Sequence, residues 1–345
     1  MSNLSDVKPL LEWYFFYKRD FPWRTQIYID RHDWTYHTWV CEVMSQQTII
    51  SVVIPKFKKF IAELPDVFAL ANCSDELLRY LWSGLGYYAR ARNLRNGAKT
   101  ILSQYNGQFP TTKKEWLNVP GCGEYTASII ASICFSEPVA AIDGNMIRVV
   151  SRLLGLKAQV WEKVGQQKIS HFMASLMLSS HSNYKPGDIN QAFMDLGSMV
   201  CKKNSPLCHE CPLQNSCLAY KQNIVSLCPP VKPRKENQEE DVYALVYVNC
   251  ETQLYLLVER DSGFLAKTIG FPLFTKIQFI QSGLKASPLE KTFRHQITNH
   301  KITGFVTLVE GECSLANKKF WVPFSELKKQ LSSSLDQKVL KTLSY

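Results

Sequence analysis

Cys201, Cys208, Cys211 and Cys217 stand at the spacing C-x6-C-x2-C-x5-C. The other seven of the eleven cysteines are scattered singly, so the run is not a by-product of a cysteine-rich composition. No secretory signal is read between Met1 and Asp20, a charged, aromatic and amphipathic stretch. In a reducing compartment, grouped cysteines indicate a metal site rather than disulfides. Zinc sites usually pair two C-x2-C knuckles, and only Cys208 and Cys211 form one here. The outer cysteines also miss the two ferredoxin spacings. One segment wrapped this tightly around four thiolates suits a cubane iron–sulfur cluster.

Val119-Pro120-Gly121-Cys122-Gly123-Glu124-Tyr125-Thr126-Ala127 is the second chemical signal. A Pro-Gly-x-Gly turn running into a helix presents free N–H groups at the positive helix end. Gly121 and Gly123 allow a phosphate to approach the backbone closely. That is the physics of a helix-hairpin-helix, which grips a nucleic-acid backbone without reading sequence.

The elements that must position these residues are helical over the first 220 positions. Apolar residues recur at helical spacing over Leu4–Lys18, Thr38–Ile54, Asp75–Ser83, Tyr87–Ser103, Thr126–Phe135, Asn145–Leu156 and Asp188–Val200, with prolines such as Pro55 as punctuation. A proline- and charge-rich run from Pro229 to Glu240 reads as a linker. Strand patterns follow at Val242–Val248, Gln253–Val258, Ile302–Val309 and Phe320–Pro323, with a closing helix from Ser325 through Leu331. The organisation expected is a helical core over 1–220 with the cysteine loop at 201–217, a linker over 221–240, and a second domain over 241–345. The fold class is therefore α+β multidomain. At 345 residues two cores are the default, and no uncharged run is long enough to cross a bilayer. The net charge of +10 is shared by both parts and favours a polyanionic partner.

Several motifs agree in order. They are Phe21-Pro22-Trp23-Arg24, Trp39-Val40-Cys41-Glu42-Val43-Met44-Ser45-Gln46-Gln47-Thr48, the run from Trp82 to Leu94, the hairpin, Ile142-Asp143-Gly144-Asn145, the run from Asn190 to Gly197, and the cysteines. Together they resemble the MutY-type adenine DNA glycosylases of the endonuclease III superfamily. The resemblance implies an all-α helix-hairpin-helix core, a [4Fe–4S] cluster on Cys201, Cys208, Cys211 and Cys217, and a MutT-like (NUDIX-like) α/β domain. It implies excision of adenine mispaired with 8-oxoguanine or guanine from double-stranded DNA. The chain is expected to be monomeric, cytoplasmic and, in a bacterium, nucleoid-associated.

Glu42 lies among mostly apolar and uncharged residues, where desolvation raises a carboxyl pKa and suits it to general-acid work. Asp143 precedes a helix, whose dipole favours the anion. By resemblance Glu42 protonates adenine N7 and Asp143 steadies the oxocarbenium-like sugar, with Tyr125 and Asn145 bonding around it. Tyr125 also fills the slot where bifunctional relatives carry a Schiff-base lysine, which implies a monofunctional enzyme. Gln46, Gln47 and Tyr87 match wedge residues that fill the hole left by an extruded base. Arg90 and Arg92 are expected to serve phosphates. The stretch Thr25–Trp34 is longer than the family pattern, and Thr35 stands where the family has proline.

In the second domain, Gly263-Phe264-Leu265 and Phe271-Pro272-Leu273-Phe274 support the MutT likeness. Only Glu290 is acidic between Gly263 and Glu290, so a pyrophosphatase box is absent. Ile297-Thr298-Asn299 stands where the family shows Phe-Ser-His, leaving Thr298 and Asn299 as the expected lesion-reading residues. The alternatives are a thymine-mismatch glycosylase, a bifunctional pyrimidine-lesion lyase, or a non-catalytic iron–sulfur DNA-binding protein.

Overall fold

Apolar spacing along the first part of the chain builds twelve α-helices among the described residues. They are α1 (Lys8–Tyr17), α2 (Arg31–Ser45), α3 (Ile50–Glu63), α4 (Val67–Asn72), α5 (Asp75–Trp82), α6 (Ala89–Gln104), α7 (Lys113–Trp116), α8 (Glu124–Phe135), α9 (Gly144–Leu153), α10 (Lys163–Ser180), α11 (Pro186–Met199) and α12 (Leu218–Lys221). The computed structural model describes residues 7–24, 30–157, 160–180, 184–231, 236–249, 251–263, 265–266, 268–284, 286–297, 299–309, 319–331 and 333–343. The chain divides into two units, Met1–Lys232 and Pro233–Tyr345.

Among the described residues the first unit has two large apolar cores and a small third cluster. Trp39, Phe60, Trp82, Trp116 and Ile130 close one of them, between α2 and α8. The other unites the chain start with later helices: Leu10, Leu11 and Tyr14 of α1 pack with Val150, Met173, Phe193 and Leu196. Burying α1 against helices more than a hundred residues away closes the second core and leaves a seam between the two.

Three expectations change here. The single helix expected over Thr38–Ile54 is two helices, broken between Ser45 and Ile50, with Gln47 at φ 56°. Pro55 lies inside α3 instead of ending a helix: it is exposed, while Val53, Phe57 and Phe60 bury another face and hold the helix by packing. The expected linker is ordered at both ends. Cys228 packs with Ala219 and Ile224, Trp161 Nε1 donates to Pro230 O at 2.9 Å, and β1 already begins at Gln238. Of the longer stretch Thr25–Trp34, residues 25–29 lie outside the described residues and Arg31–Trp34 open α2, with Asp30 as its N-cap accepting from Asp33 N at 2.8 Å. Thr35 Oγ1 donates to Arg31 O at 2.7 Å within the continuing helix, where a proline would remove a backbone N–H.

Among the described residues the second unit is a seven-stranded mixed sheet with three helices. Its strands are β1 (Gln238–Asn249), β2 (Leu254–Glu259), β3 (Ile269–Gly270), β4 (Leu273–Thr275), β5 (Ala286–Ile297), β6 (His300–Val309) and β7 (Lys319–Pro323). Its helices are α13 (Lys276–Ser282), α14 (Phe324–Gln330) and α15 (Ser334–Leu343). The order is β3-β2-β1-β6-β5, with β1 and β6 parallel, β4 on β1 and β7 on β2. Gly304 of β6 is required by packing: a Cβ there would stand 2.1 Å from the Phe293 ring.

Candidate active site

The helices α2 and α8 present Glu42 and Tyr125 to each other at the seam between the two cores. Trp39, Val40, Val43 and Met44 bury the rest of α2 and hold the helix in register. Tyr125 Oη donates to Glu42 Oε2 at 3.1 Å and lies 3.7 Å from Met194 Sδ of α11. Desolvation is the largest influence on Glu42 and lifts its pKa to about 7. The Tyr125 hydrogen bond and the charge of Arg24 pull it down, and Asp143 pushes it up. Burial, the largest of these influences, favours the acid form.

Asp143 is the N-cap of α9. It accepts from Met146 N at 2.7 Å and from Asn145 Nδ2 at 2.8 Å. Burial still carries its pKa above the ordinary carboxylate value, against those donors and Arg148. The helix end expected to dominate is thus outweighed by desolvation. Asn190 aims the preceding loop, accepting from Ala141 N at 3.0 Å and donating to Ser132 Oγ and Val139 O. Gly197 of α11 lets Asn145 sit close, since a Cβ there would be 2.7 Å from Asn145 Cβ.

Two arginines assigned no site role from sequence organise the second core. Arg148 donates to Asn145 Oδ1 at 2.9 Å, Gly197 O at 2.7 Å and Cys201 O at 2.8 Å. Arg152, 3% exposed, gathers Cys201 Sγ and the carbonyls of Cys201, Lys202, Lys203 and Cys228. A buried cation that makes this many bonds orders the cysteine loop. Their signal in sequence was a charge at every fourth position of an otherwise apolar helix.

Cys201, Cys208, Cys211 and Cys217 line one recess with Val200, Leu207, Tyr220 and Val225. Among the described residues no three Cys, His, Asp or Glu side chains converge closely enough to hold a single ion. Four thiols around one apolar recess supply the donor set that an iron–sulfur cluster or a structural zinc requires.

The hairpin joins α7 to α8. Gly121 has φ +84° and its Cβ would meet Asn93 Cβ at 2.8 Å, so only glycine serves. Gly123 caps α8 without a side-chain bond, leaving first-turn N–H groups available to an anion. Gln46 donates to Thr126 Oγ1 at 3.2 Å, while Gln47 and Tyr87 are exposed with positive φ (56° and 44°). Arg90 departs from its expected phosphate role. Its Nη atoms donate to Val43 O (2.8 Å), Met44 O (2.9 Å) and Leu85 O (2.8 Å), and it lies over the Tyr87 ring. It ties the Gln46 and Tyr87 loops together, because carbonyls freed by the helix break need donors. Arg92 is half-buried on the same helix.

In the second unit Thr298 lies outside the described residues. Asn299 donates from Nδ2 to Glu236 O at 3.1 Å, and His300 Nδ1 lies 2.7 Å from Glu240 Oε1. Both side chains are thus engaged by the start of β1.

The model of the HhH-GPD superfamily of base excision DNA repair proteins matches residues 40–172. An adenine DNA glycosylase of Buchnera aphidicola (subspecies Schizaphis graminum) is 30% identical over 326 residues, covering 93% of this chain and 90% of the relative. The rat adenine DNA glycosylase is 38% identical over 230 residues, 64% of this chain. The chain spans less than half the length of the rat and mouse relatives, 43% and 44%. A thermostable thymine-DNA glycosylase shares the fold at TM-score 0.55 and 23% identity, over 63% of this chain and 95% of that one. Endonuclease III in a non-covalent DNA complex does so at TM-score 0.51 and 21% identity, over 65% and 99%.

Proposed function

Because this chain belongs to the adenine DNA glycosylase family, we propose that it hydrolyses the N-glycosidic bond of adenine mispaired with 8-oxoguanine or guanine in double-stranded DNA. The observation that carries this reading is Glu42, a carboxyl held near neutrality in its titration beside a tyrosine and a second carboxyl. Glu42 gives its proton to N7 of the extruded adenine, so that the base leaves neutral as the C1′–N9 bond breaks. Asp143 faces the positive charge developing on the sugar and is aimed by Asn145 and the α9 N-terminus. Water then adds at C1′ and loses a proton, leaving an abasic site.

Gly121, Gly123 and the first turn of α8 would hold a phosphate, with Gln46, Gln47 and Tyr87 occupying the vacated stack. Cys201, Cys208, Cys211 and Cys217 would hold a [4Fe–4S] cluster, which when bound stiffens the loop that Arg148 and Arg152 tie to α9. In the second unit Thr298, outside the described residues, and Asn299 would read the lesion. The test uses duplexes differing only at the mispair, with the released base identified by chromatography. Adenine release from the 8-oxoguanine and guanine mispairs is expected. Release of thymine or a damaged pyrimidine, or of nothing, would overturn the reading.

Two results should accompany that assay. Borohydride should trap little covalent protein–DNA adduct, because the strongest cationic influences on Glu42 and Asp143 are Arg24 and Arg148. The nearby Lys113 is paired with Glu124 at 2.6 Å, and Tyr125 offers no amine. Trapping at the rate of base release would contradict this. Anaerobically purified protein should be brown and carry iron and sulfide. Stoichiometric zinc without iron would refute the cluster.

A further inference from the structure

Asp195 is an anomaly in α11: a fully buried carboxylate, 0% exposed, on a helix that otherwise buries Ile189, Ala192, Phe193 and Leu196. It is satisfied by two arginines far away in sequence. Arg19 donates from its backbone N (3.2 Å), Nε (2.9 Å) and Nη2 (2.6 Å). Arg24 donates from Nη1 (2.7 Å) and Nη2 (3.1 Å), and Nη1 also reaches Arg19 O at 3.0 Å. Phe21 and Tyr14 cover the Arg24 guanidinium, with centroids 4.9 Å and 5.9 Å away. The cation is fixed in place on every side that can be named.

The cluster lies close to Glu42: Met194, next to Asp195 on α11, is 3.7 Å from the Tyr125 Oη that bonds Glu42, and the Arg24 charge acts to ionise that carboxyl. A guanidinium no longer neutralised by Asp195 would act more strongly on Glu42, since a nearby opposite charge typically lowers a carboxyl pKa by about 1–3 units. We infer that Asp195 is a positioning residue: it holds and neutralises Arg24, so that the guanidinium stands beside the general acid without pairing with it. The inference rests on the assignment of Glu42 as that acid. Arg24 then stays held in its clamp while the proton stays on Glu42.

The groups that face this cluster come from several elements. Tyr125 of α8, Asp143 at the start of α9, and Cys41 and Cys134 lie around Glu42. Tyr14 of α1 and Asp188 of α11 lie around Arg24. Asp188 is itself pushed up by burial and only partly offset by Lys185, Lys18 and Arg24, which makes it a poorer partner than Asp195. Asp195 is held low despite burial, by the Arg24 and Arg19 bonds and charges.

The test follows the Glu42 carboxyl by carbon-13 NMR in the free, cluster-loaded protein labelled at glutamate, the signal being assigned by its loss in Glu42→Gln. Asp195→Asn frees the Arg24 charge and should move the Glu42 midpoint down by about one pH unit. The alkaline limb of single-turnover base release should move with it, giving about a tenfold loss on that limb. Arg24→Gln should move both upward, and the Arg24→Gln, Asp195→Asn double variant should follow Arg24→Gln. Asp195→Glu, which keeps the charge, should restore most of the shift. A folded Asp195→Asn whose Glu42 midpoint is unchanged or raised overturns the inference. So does a double variant that follows Asp195→Asn. If Asp195→Asn does not fold, an unmoved midpoint in Arg24→Gln overturns it. Because the titration needs no DNA, it fails independently of the base-release assay, which alone tests the proposed function.

Discussion

Glu42→Gln is expected to slow single-turnover adenine release by about 10²–10⁴-fold, the range a positioned general acid supplies, while binding to the mispair changes little. Glutamine keeps the size of the side chain and can accept from Tyr125 Oη, but it has no acidic proton to give. A loss below about tenfold, roughly 1.4 kcal/mol of barrier, would remove Glu42 from the role of acid. Stability should respond in the opposite sense. The carboxyl titrates near 7 in the folded protein against an ordinary 4.5, so its favourable contribution is complete below 4.5 and is lost as pH rises through 7. The Glu42→Gln protein should therefore gain on the wild type across that window, by at most roughly 3 kcal/mol. Melting curves at pH 5 and pH 8 measure this. An advantage for the variant that is larger at pH 5 would refute the buried acid.

Asp143→Asn should cost about 10²–10³-fold in base release, comparable to removing one preorganised group from a developing charge. Asparagine is a good N-cap and can still accept from Met146 N, so the melting temperature should fall only slightly. What disappears is the negative charge facing the sugar. A second signature comes from coupling between the two carboxyls. Asp143 raises Glu42, so its neutralisation should move the alkaline limb of the remaining activity to lower pH. Activity within a fewfold of wild type, or an alkaline limb moved upward, would show that Asp143 only caps α9.

The break between α2 and α3 shows where local pattern misleads. Apolar periodicity runs through Thr38–Ile54 and by itself supports one helix. The chain instead turns at Gln47 because Arg90, more than forty residues on, supplies donors to the carbonyls of Val43 and Met44. Strand β5 and helix α10 were missed for a related reason. The partners of β5 lie on β6, and its own residues, Ala286 to Ile297, carry too much charge to read as a buried strand. The α10 sequence places exposed Gln166, Gln167, Ser170 and His171 between its buried Ile169, Met173, Leu176 and Met177, which dilutes the apolar signal. In both cases burial by neighbours outweighs weak propensity.

The features legible in the chain alone were those coded by short spacing. Four cysteines within seventeen residues, a Pro-Gly-x-Gly turn ahead of a helix, and a carboxyl among apolar residues each state their chemistry locally. Tertiary structure decided how those groups behave. Whether Glu42 keeps its proton depends on desolvation, on Tyr125 83 positions away, and on an Arg24 restrained by Asp195 171 positions away. Whether Arg90 meets phosphate or carbonyl depends on which backbone groups the helix break leaves unpaired. Charge placement in a low-dielectric interior is a property of the whole packing, because each burial and each distant partner changes the same electrostatic balance.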